Sequence, residues 1–354
     1  MMARRADLNI LCWEGYHERC FLAPFESEFG VTAFGEALVS DFAAAERIAG
    51  PERRAWDVVN LNNPFARDYF HPRGLVRALD RRRFEPMFET MLPEFADLRQ
   101  CARSRDGAQL LGVCQRFGAF NLVVNADRIS PARAADEGFD LANDAANAGR
   151  FGILAYDDFN VIHVAIGAGL DPFVELDHHA LEAFSATAKR WFAAARMVTA
   201  DHHALNRALA HRDIDFYVSG GVYTCSPVRL EGRHNIRSVT PKRGPIAGKG
   251  GIVFAEVTSV IDRPDAPAVA DDFLAYMLRP ESSIEIAFAA GTSNPVMQMG
   301  DPAVMGAFSR DRLDAIQWDT LAQDIARCAP YAIAPDYPAL HARLIAARRA
   351  AGWI

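Results

Sequence analysis

The chain has 354 residues, 50% of them hydrophobic and 23% charged. That excludes wholesale disorder and exceeds what one hydrophobic core usually organises, so two lobes are expected. The formal charge of -7 leaves no footprint for nucleic acid and no polybasic cluster for anionic lipid, and no apolar run approaches the roughly 20 residues that span a bilayer.

Leu8-Asn9-Ile10-Leu11-Cys12 reads as a buried strand that empties into Trp13, Glu14, Gly15 and Tyr16. The start, Met1 to Asp7, has the basic residues of a signal-peptide n-region but no apolar h-region, so the chain as written is cytoplasmic, or periplasmic with its leader removed. Cys20–Phe29 carries Phe21, Phe25 and Phe29 at i, i+4 and i+8 and is closed by Gly30, the pattern of an amphipathic helix. Val31–Phe34 is a second strand, Asp41–Ile48 a helix and Trp56–Leu61 a third strand. This βαβαβ opening predicts a parallel, right-handed, doubly wound sheet. Gly112–Cys114 and Ala119–Asn125 are extended, and the interruption at Gln115-Arg116-Phe117-Gly118 is where the chain would change lobes.

The same alternation restarts downstream. Phe151–Ala155 is a strand leading into Tyr156, Asp157 and Asp158 and a helix through Ile166; one of the two aspartates is expected to cap that helix. His178–Arg196 and Asp201–His211 read as helices, the first with Leu181, Phe184, Ala188, Trp191 and Phe192 on one face. Strand Ile214–Val218 ends in Ser219, Gly220, Gly221, Val222 and Tyr223, strand Ile236–Thr240 precedes a turn-rich basic segment, and Ile252–Ile261 is a long strand. The tail is helical over Ala266–Leu278, Pro280–Ala289 and Pro338–Arg349.

Carboxyl ends of parallel strands share one edge, so residues just past different strands converge. That gathers Trp13, Glu14 and Tyr16 with Asn60, Asn62 and Asn63 in one lobe, and Tyr156, Asp157 and Asp158 with Ser219 and Tyr223 in the other. Aromatic faces hold cations and alkyl chains, and ionised carboxylates accept charge-assisted bonds from ammonium groups. An amine ligand is the reading. Glu256 lies inside an apolar strand, where an ionised side chain needs a partner, either the ligand or an arginine such as Arg116.

With these residues in place, the chain resembles the spermidine/putrescine-type solute-binding proteins of ABC importers. The resemblance rests on Leu8–Tyr16, Trp56–Asn60, Gly112–Asn125, Pro241–Asp262 and the helix over 266–280, nearly the whole chain in order. It implies an α/β, two-lobed, type II periplasmic-binding-protein-like fold, with each lobe a mostly parallel sheet flanked by helices. Ligand would be held in the cleft between closing lobes by a monomer, with no catalysis, cofactor or metal, and an ABC permease as partner. The lobes would comprise 8–117 plus 251–290 and 118–250 plus 291–354. The resemblance places Trp13, Glu14 and Tyr16, Asp157 or Asp158, and Phe254 with Glu256 at the ligand; Asn60, Asn62, Arg116 and Phe117 join them as cleft candidates.

Three departures bear on the ligand. Asn160 stands where the family has a second acid, Ser219 where polyamine binders carry a tryptophan, and Arg116 adds a guanidinium. Fewer carboxylates and an added cation favour a ligand with an anionic end, so a zwitterion such as an amino acid or ω-amino acid competes with polyamine.

The remaining motifs read as structural. The pairs His178-His179 and His202-His203 point about 100° apart on a helix and read as surface residues, while Tyr217 and Tyr223 lack the support of a ferric site. Lys249-Gly250-Gly251 and Gly220-Gly221 lack P-loop spacing. The six cysteines read mostly as buried thiols, with a Cys101–Cys114 bridge left open. A cytosolic thiaminase-like enzyme on the same fold, with Cys12 or Cys225 as nucleophile, is the alternative.

Overall fold

A computed structural model of the chain describes residues 6–38 and 40–354. The basic start Met1–Arg5, the n-region of the sequence reading, lies outside the described residues. Among the described residues ten strands occur in order: β1 Leu8–Cys12, β2 Ala33–Ala37, β3 Val58–Asn62, β4 Val113–Asn125, β5 Phe151–Leu154, β6 Met197–Thr199, β7 Phe216–Gly221, β8 Ile236–Val239, β9 Gly251–Val260 and β10 Cys328–Pro330. The chain divides into two compact units, Met1–Phe117 with Phe254–Ser309 and Gly118–Val253 with Arg310–Ile354.

In the first unit the strand order is β2-β1-β3-β9. β1 is parallel to β2 and β3, as the opening pattern predicts, but β9 joins β3 antiparallel. It returns as a neighbour rather than through a βαβ crossover. The helix Arg19–Phe29 buries Phe21 and Phe25 against Phe273 and Tyr276, and Gly30 closes it at φ 66. The aromatic stripe and stop signal of the sequence thus acquire a packing partner.

The second unit holds β5 parallel to both β6 and β7, with β4 antiparallel to β7 and to β8. β10 runs parallel along Gly251–Val253. The helix His178–Ala194 buries Phe184, Ala188, Trp191 and Phe192 and packs on the helix Tyr337–Ala350. Both units therefore hold mixed sheets, because a long strand enters each one against its parallel core.

Several expectations need correction. β4 is unbroken through Gln115–Gly118. The polar residues that suggest an interruption are buried and bonded inside the strand: Gln115 Nε2 donates to the Met277 carbonyl at 2.6 Å and Arg116 pairs with Glu256. The segment 291–309, expected in lobe 2, belongs to the first unit, and 251–253 belongs to the second. The cause is local bonding, since Phe117 N donates to Pro295 O and Gln298 Nε2 to Cys114 O. Strand β6 and the helix Val222–Leu230 have no counterpart in the sequence reading. All six cysteines are free, so Cys101 and Cys114 form no bridge.

Gly112 sits where β4 begins, and a Cβ there would lie 2.6 Å from both the Thr258 carbonyl oxygen and Val257 Cγ1. Gly112→Ala is expected to destabilise the first unit by roughly 1–3 kcal/mol through overpacking against backbone. A chemical-denaturation midpoint equal to that of the parent chain would show that the strands separate freely at this point.

Candidate functional site

In the first unit, Asn60 and Asn62 lie directly opposite Thr258 and Glu256 in the β3–β9 register, so the four side chains share one face. Asn60 Nδ2 donates to Thr258 Oγ1 at 2.8 Å, and its Oδ1 receives Trp13 N at 3.4 Å. The hub beside them is Asp41, which is fully buried at the start of the helix Asp41–Ala49. Its Oδ1 accepts from Trp13 Nε1 at 2.9 Å and from Asn62 N at 3.0 Å, and its Oδ2 from Asn62 Nδ2 at 2.9 Å. Trp13 is thereby fixed in rotamer by a charge-assisted bond at its polar end, leaving the residue 9% exposed. The sequence marks Asp41 only as a helix residue; the available signal is an acid at a helix start in a chain whose indole needs an acceptor.

The second cluster joins three segments. Arg116, on β4, donates from Nε to Glu256 Oε2 at 2.8 Å and from Nη2 to the Glu14 carbonyl at 2.8 Å. Its guanidinium carbon lies 4.9 Å from the Tyr16 ring centre, and Tyr16 Oη donates to the same Glu256 Oε2 at 2.6 Å. The side chains of Arg116 and Glu256 are only 3% and 7% exposed. Burial opposes the arginine's charge, but the Glu256 carboxylate more than offsets it and raises the pKa above the ordinary value. Burial and the same carboxylate push the Tyr16 phenol well up, so it stays protonated and donates. Of the two partners considered for Glu256, then, an arginine is present. Both bonds fall on Oε2, so Oε1 retains its lone pairs for another donor. Phe254 lies on the same face of β9 two residues before Glu256, Phe117 packs on Phe95 with ring centres 4.8 Å apart, and Glu14 is half-buried.

In the second unit the helix Asp157–Gly167 has Tyr156 at its N-cap, and neither aspartate caps it. Both sit in the first turn, where the helix dipole favours them. Asp157 Oδ1 receives Arg348 Nη1 at 2.6 Å, and His341 Nε2 lies 3.6 Å from its Oδ2; Asp158 Oδ1 accepts from Tyr337 Oη at 2.5 Å. Both acids are thus bonded to the C-terminal helix. Tyr223 is 9% exposed, with its ring centre 5.4 Å from that of His202. His202 is buried, against the surface position expected of it, because it lies on the face of its helix that also buries Leu205, Asn206 and Leu209.

Ser219 is no open site residue. It adopts φ 64 and is the extra residue of a bulge, since β7 pairs Val218 with Leu122 but Gly220 with Asn121. The bulge turns its hydroxyl inward, where Oγ lies 2.8 Å from His163 Nδ1 and 2.6 Å from the Asn160 amide oxygen. His163 Nε2 faces the Phe120 carbonyl at 2.8 Å and so carries the ring proton; burial drops this imidazole to about 3, keeping it neutral. Nδ1 must then take the serine's only proton. A half-turn of the Asn160 amide converts the third contact into Nδ2 donating to Oγ, and it gives a partner to a buried Nδ2 that otherwise has none.

The cysteines considered as nucleophiles do not suit that role. Cys12 and Cys225 are buried; burial pushes Cys12 far up and Cys225 to about 11, and their thiols contact the carbonyls of Glu36 and Val222. Tyr217 bonds within the core, with Oη 2.8 Å from Thr224 Oγ1. Among the described residues no three His, Cys, Asp or Glu side chains are grouped to hold a metal ion, and no helix is long and apolar enough to cross a membrane.

No protein-family model matches the chain, and no curated protein matches it in sequence. Solved structures match it over nearly its full length. The spermidine/putrescine ABC transporter substrate-binding protein PotD of Streptococcus pneumoniae superposes with a TM-score of 0.66 at 16% identity, over 96% of this chain and 99% of that one. The TpPotD lipoprotein of Treponema pallidum gives 0.67 at 14% identity, over 97% and 98%. The binding protein MotA of A. tumefaciens B6, solved in complex with glucopine, gives 0.60 at 11% identity over 98% of both chains. These likenesses define the fold, which is the two-lobed α/β fold of periplasmic binding proteins, and the resemblance carried by the sequence leads to the same fold.

Substitution tests both ion pairs. Arg116→Met, which leaves Glu256 buried beside no cation, is expected to cost the first unit roughly 3–5 kcal/mol, while Arg116→Met with Glu256→Leu recovers most of it. Equal losses in single and double variants, read by urea unfolding, would show that the pair is not coupled. The Asp157 carboxylate raises the His341 pKa, chiefly through their hydrogen bond. A raised folded pKa stabilises fully below the ordinary histidine value and fades as pH rises through the raised one. His341→Gln should therefore lower the melting temperature more at pH 5.5 than at pH 8.5, on the scale of a solvent-screened pair, roughly 0.2–1 kcal/mol. A difference that is the same at both pH values would refute this.

Proposed function

We propose that this chain is the solute-binding component of an ABC importer and that its ligand is a small amine-bearing solute with an anionic end. The reading rests first on Glu256, a buried carboxylate flanked by Tyr16, whose two internal bonds occupy only one of its oxygens. An ammonium group donating to Oε1 would meet a carboxylate already fixed in place, with an aromatic ring at hand. Trp13, held by Asp41, supplies a second fixed aromatic in the same unit.

The anionic end is supported by what the acids are doing. Asp157 is paired with Arg348 and Asp158 with Tyr337, while Asn160 is neutral, so less uncommitted negative charge is offered than the acid count suggests. That favours an amino acid or ω-amino acid over a diamine. The fold is shared with a substrate-binding protein of a spermidine/putrescine transporter and with a protein solved with glucopine. Partnership with permease subunits and residence outside the cytoplasm belong to the same proposal. No observation favours the cysteine-enzyme alternative.

A thermal-shift screen tests the reading. Ligand at about 100 times its dissociation constant adds roughly 2.7 kcal/mol of stability, a clear rise in melting temperature. Among putrescine, spermidine, 4-aminobutyrate and the common amino acids, an aminocarboxylate is expected to give the largest rise. A larger rise with the diamine would reverse the ligand class, and no rise with any of them would overturn the receptor reading for these solutes.

A further inference from the structure

The parallel strands β5, β6 and β7 bring their carboxyl ends to one edge of the second unit. Tyr156 and Asp157 come just after β5, and Tyr223 just after β7. The end of β6 leads to Asp201 and then His202, the first residue of the helix His202–His211. Sequence patterning does not reveal this third strand end, because β6 is three residues long.

His202 brings an unbonded ring nitrogen to this edge. It is 7% exposed, and its Nε2 is buried without a hydrogen-bond partner. Its ring instead meets two others, His203 at 4.2 Å and Tyr223 at 5.4 Å between centres. The adjacent Asp201 carboxylate is turned away to the helix, accepting from Ala204 N at 3.1 Å. A buried polar nitrogen left unbonded is unfavourable, and such groups persist in native structures where something else supplies the bond.

We propose that His202 is a ligand-contacting residue that sets specificity, its Nε2 hydrogen-bonding a carboxylate oxygen of the solute while the Tyr223 ring packs alongside. The choice of a carboxylate is dictated by the company at this edge: Asp157 and Asp158 already accept from Arg348 and Tyr337, so an imidazole N–H is the group left to complement an anionic end. Burial, with His203 next to it, drops the His202 pKa to about 4, so the ring meets solute as a neutral imidazole with one N–H and one lone pair. The inference rests on the receptor reading above and adds to it the residue that distinguishes an aminocarboxylate from a diamine.

Calorimetric titration of the full chain with 4-aminobutyrate and with putrescine, two probes of equal carbon count, separates the possibilities. His202→Phe keeps the ring contacts and removes the nitrogen, and exposed His211→Ala, at the other end of the same helix, serves as the control. The expected result is a loss of roughly tenfold or more in 4-aminobutyrate affinity for His202→Phe, with His211→Ala unchanged and putrescine unaffected. In the parent chain, 4-aminobutyrate should also move the His202 ring nitrogen resonances, a readout that holds even if His202→Phe does not fold. Binding of 4-aminobutyrate that is indifferent to His202, or of putrescine alone, would overturn this assignment and leave the receptor reading standing. Failure of the parent chain to bind either probe would also overturn this assignment, while the receptor reading stands or falls on the wider panel of solutes above.

Discussion

Arg116 places the strictest demand on the first unit. A guanidinium keeps its proton under all ordinary conditions, so one that is 3% exposed must be surrounded by acceptors. Two segments bring them to β4: β9 supplies Glu256, and the loop after β1 supplies the Tyr16 ring and the Glu14 carbonyl. None of these positions is free to vary alone. The same demand shapes the chemistry, because the two bonds to Oε2 fix the carboxylate and leave Oε1 outside that network.

The two units handle polar burial differently. In the first, Asp41 gathers the indole of Trp13 and two donors of Asn62, and Asn60 ties the end of β1 to β3 and β9, so amides and one acid hold an aromatic residue rigid. In the second, the acids reach to Arg348, His341 and Tyr337 on the C-terminal helix. That helix therefore neutralises charge at the sheet edge as well as covering hydrophobic surface, and it connects the final residues of the chain to the character of the candidate site.

The period of the hydrophobic pattern carries most of the architecture. The stripe Phe21-Phe25-Phe29, the face of the helix over 178–194 and the strands β1, β3, β5 and β9 are legible because each is an apolar segment of the length and period its element requires. Glu256 and Arg116 are legible as a charge in an apolar strand and its counter-charge. The rest is set by tertiary context. The three residues of β6 have no period to detect, and without that strand His202 looks like half of an exposed pair. Asp41 looks like an ordinary first-turn acid because its three donors come from Trp13 and Asn62, at the ends of β1 and β3. Gln115–Gly118 looks like a break because the partners that satisfy its polar groups lie at Glu256 and Met277, far along the chain.

Ser219 shows how the main chain can limit which side chain a position accepts. Its left-handed φ of 64 is uncommon for any residue with a side chain, and the bulge it forms directs the hydroxyl to His163 and Asn160. An indole introduced here would be aimed into the interior, at a backbone geometry that disfavours bulky residues. A tryptophan at this place thus requires a different strand path, with the insertion or deletion that removes a bulge, and no exchange of one base for another supplies that. Under the proposed receptor function, point substitutions that retune solute preference fall to positions such as 202 and 223, which lie on helices.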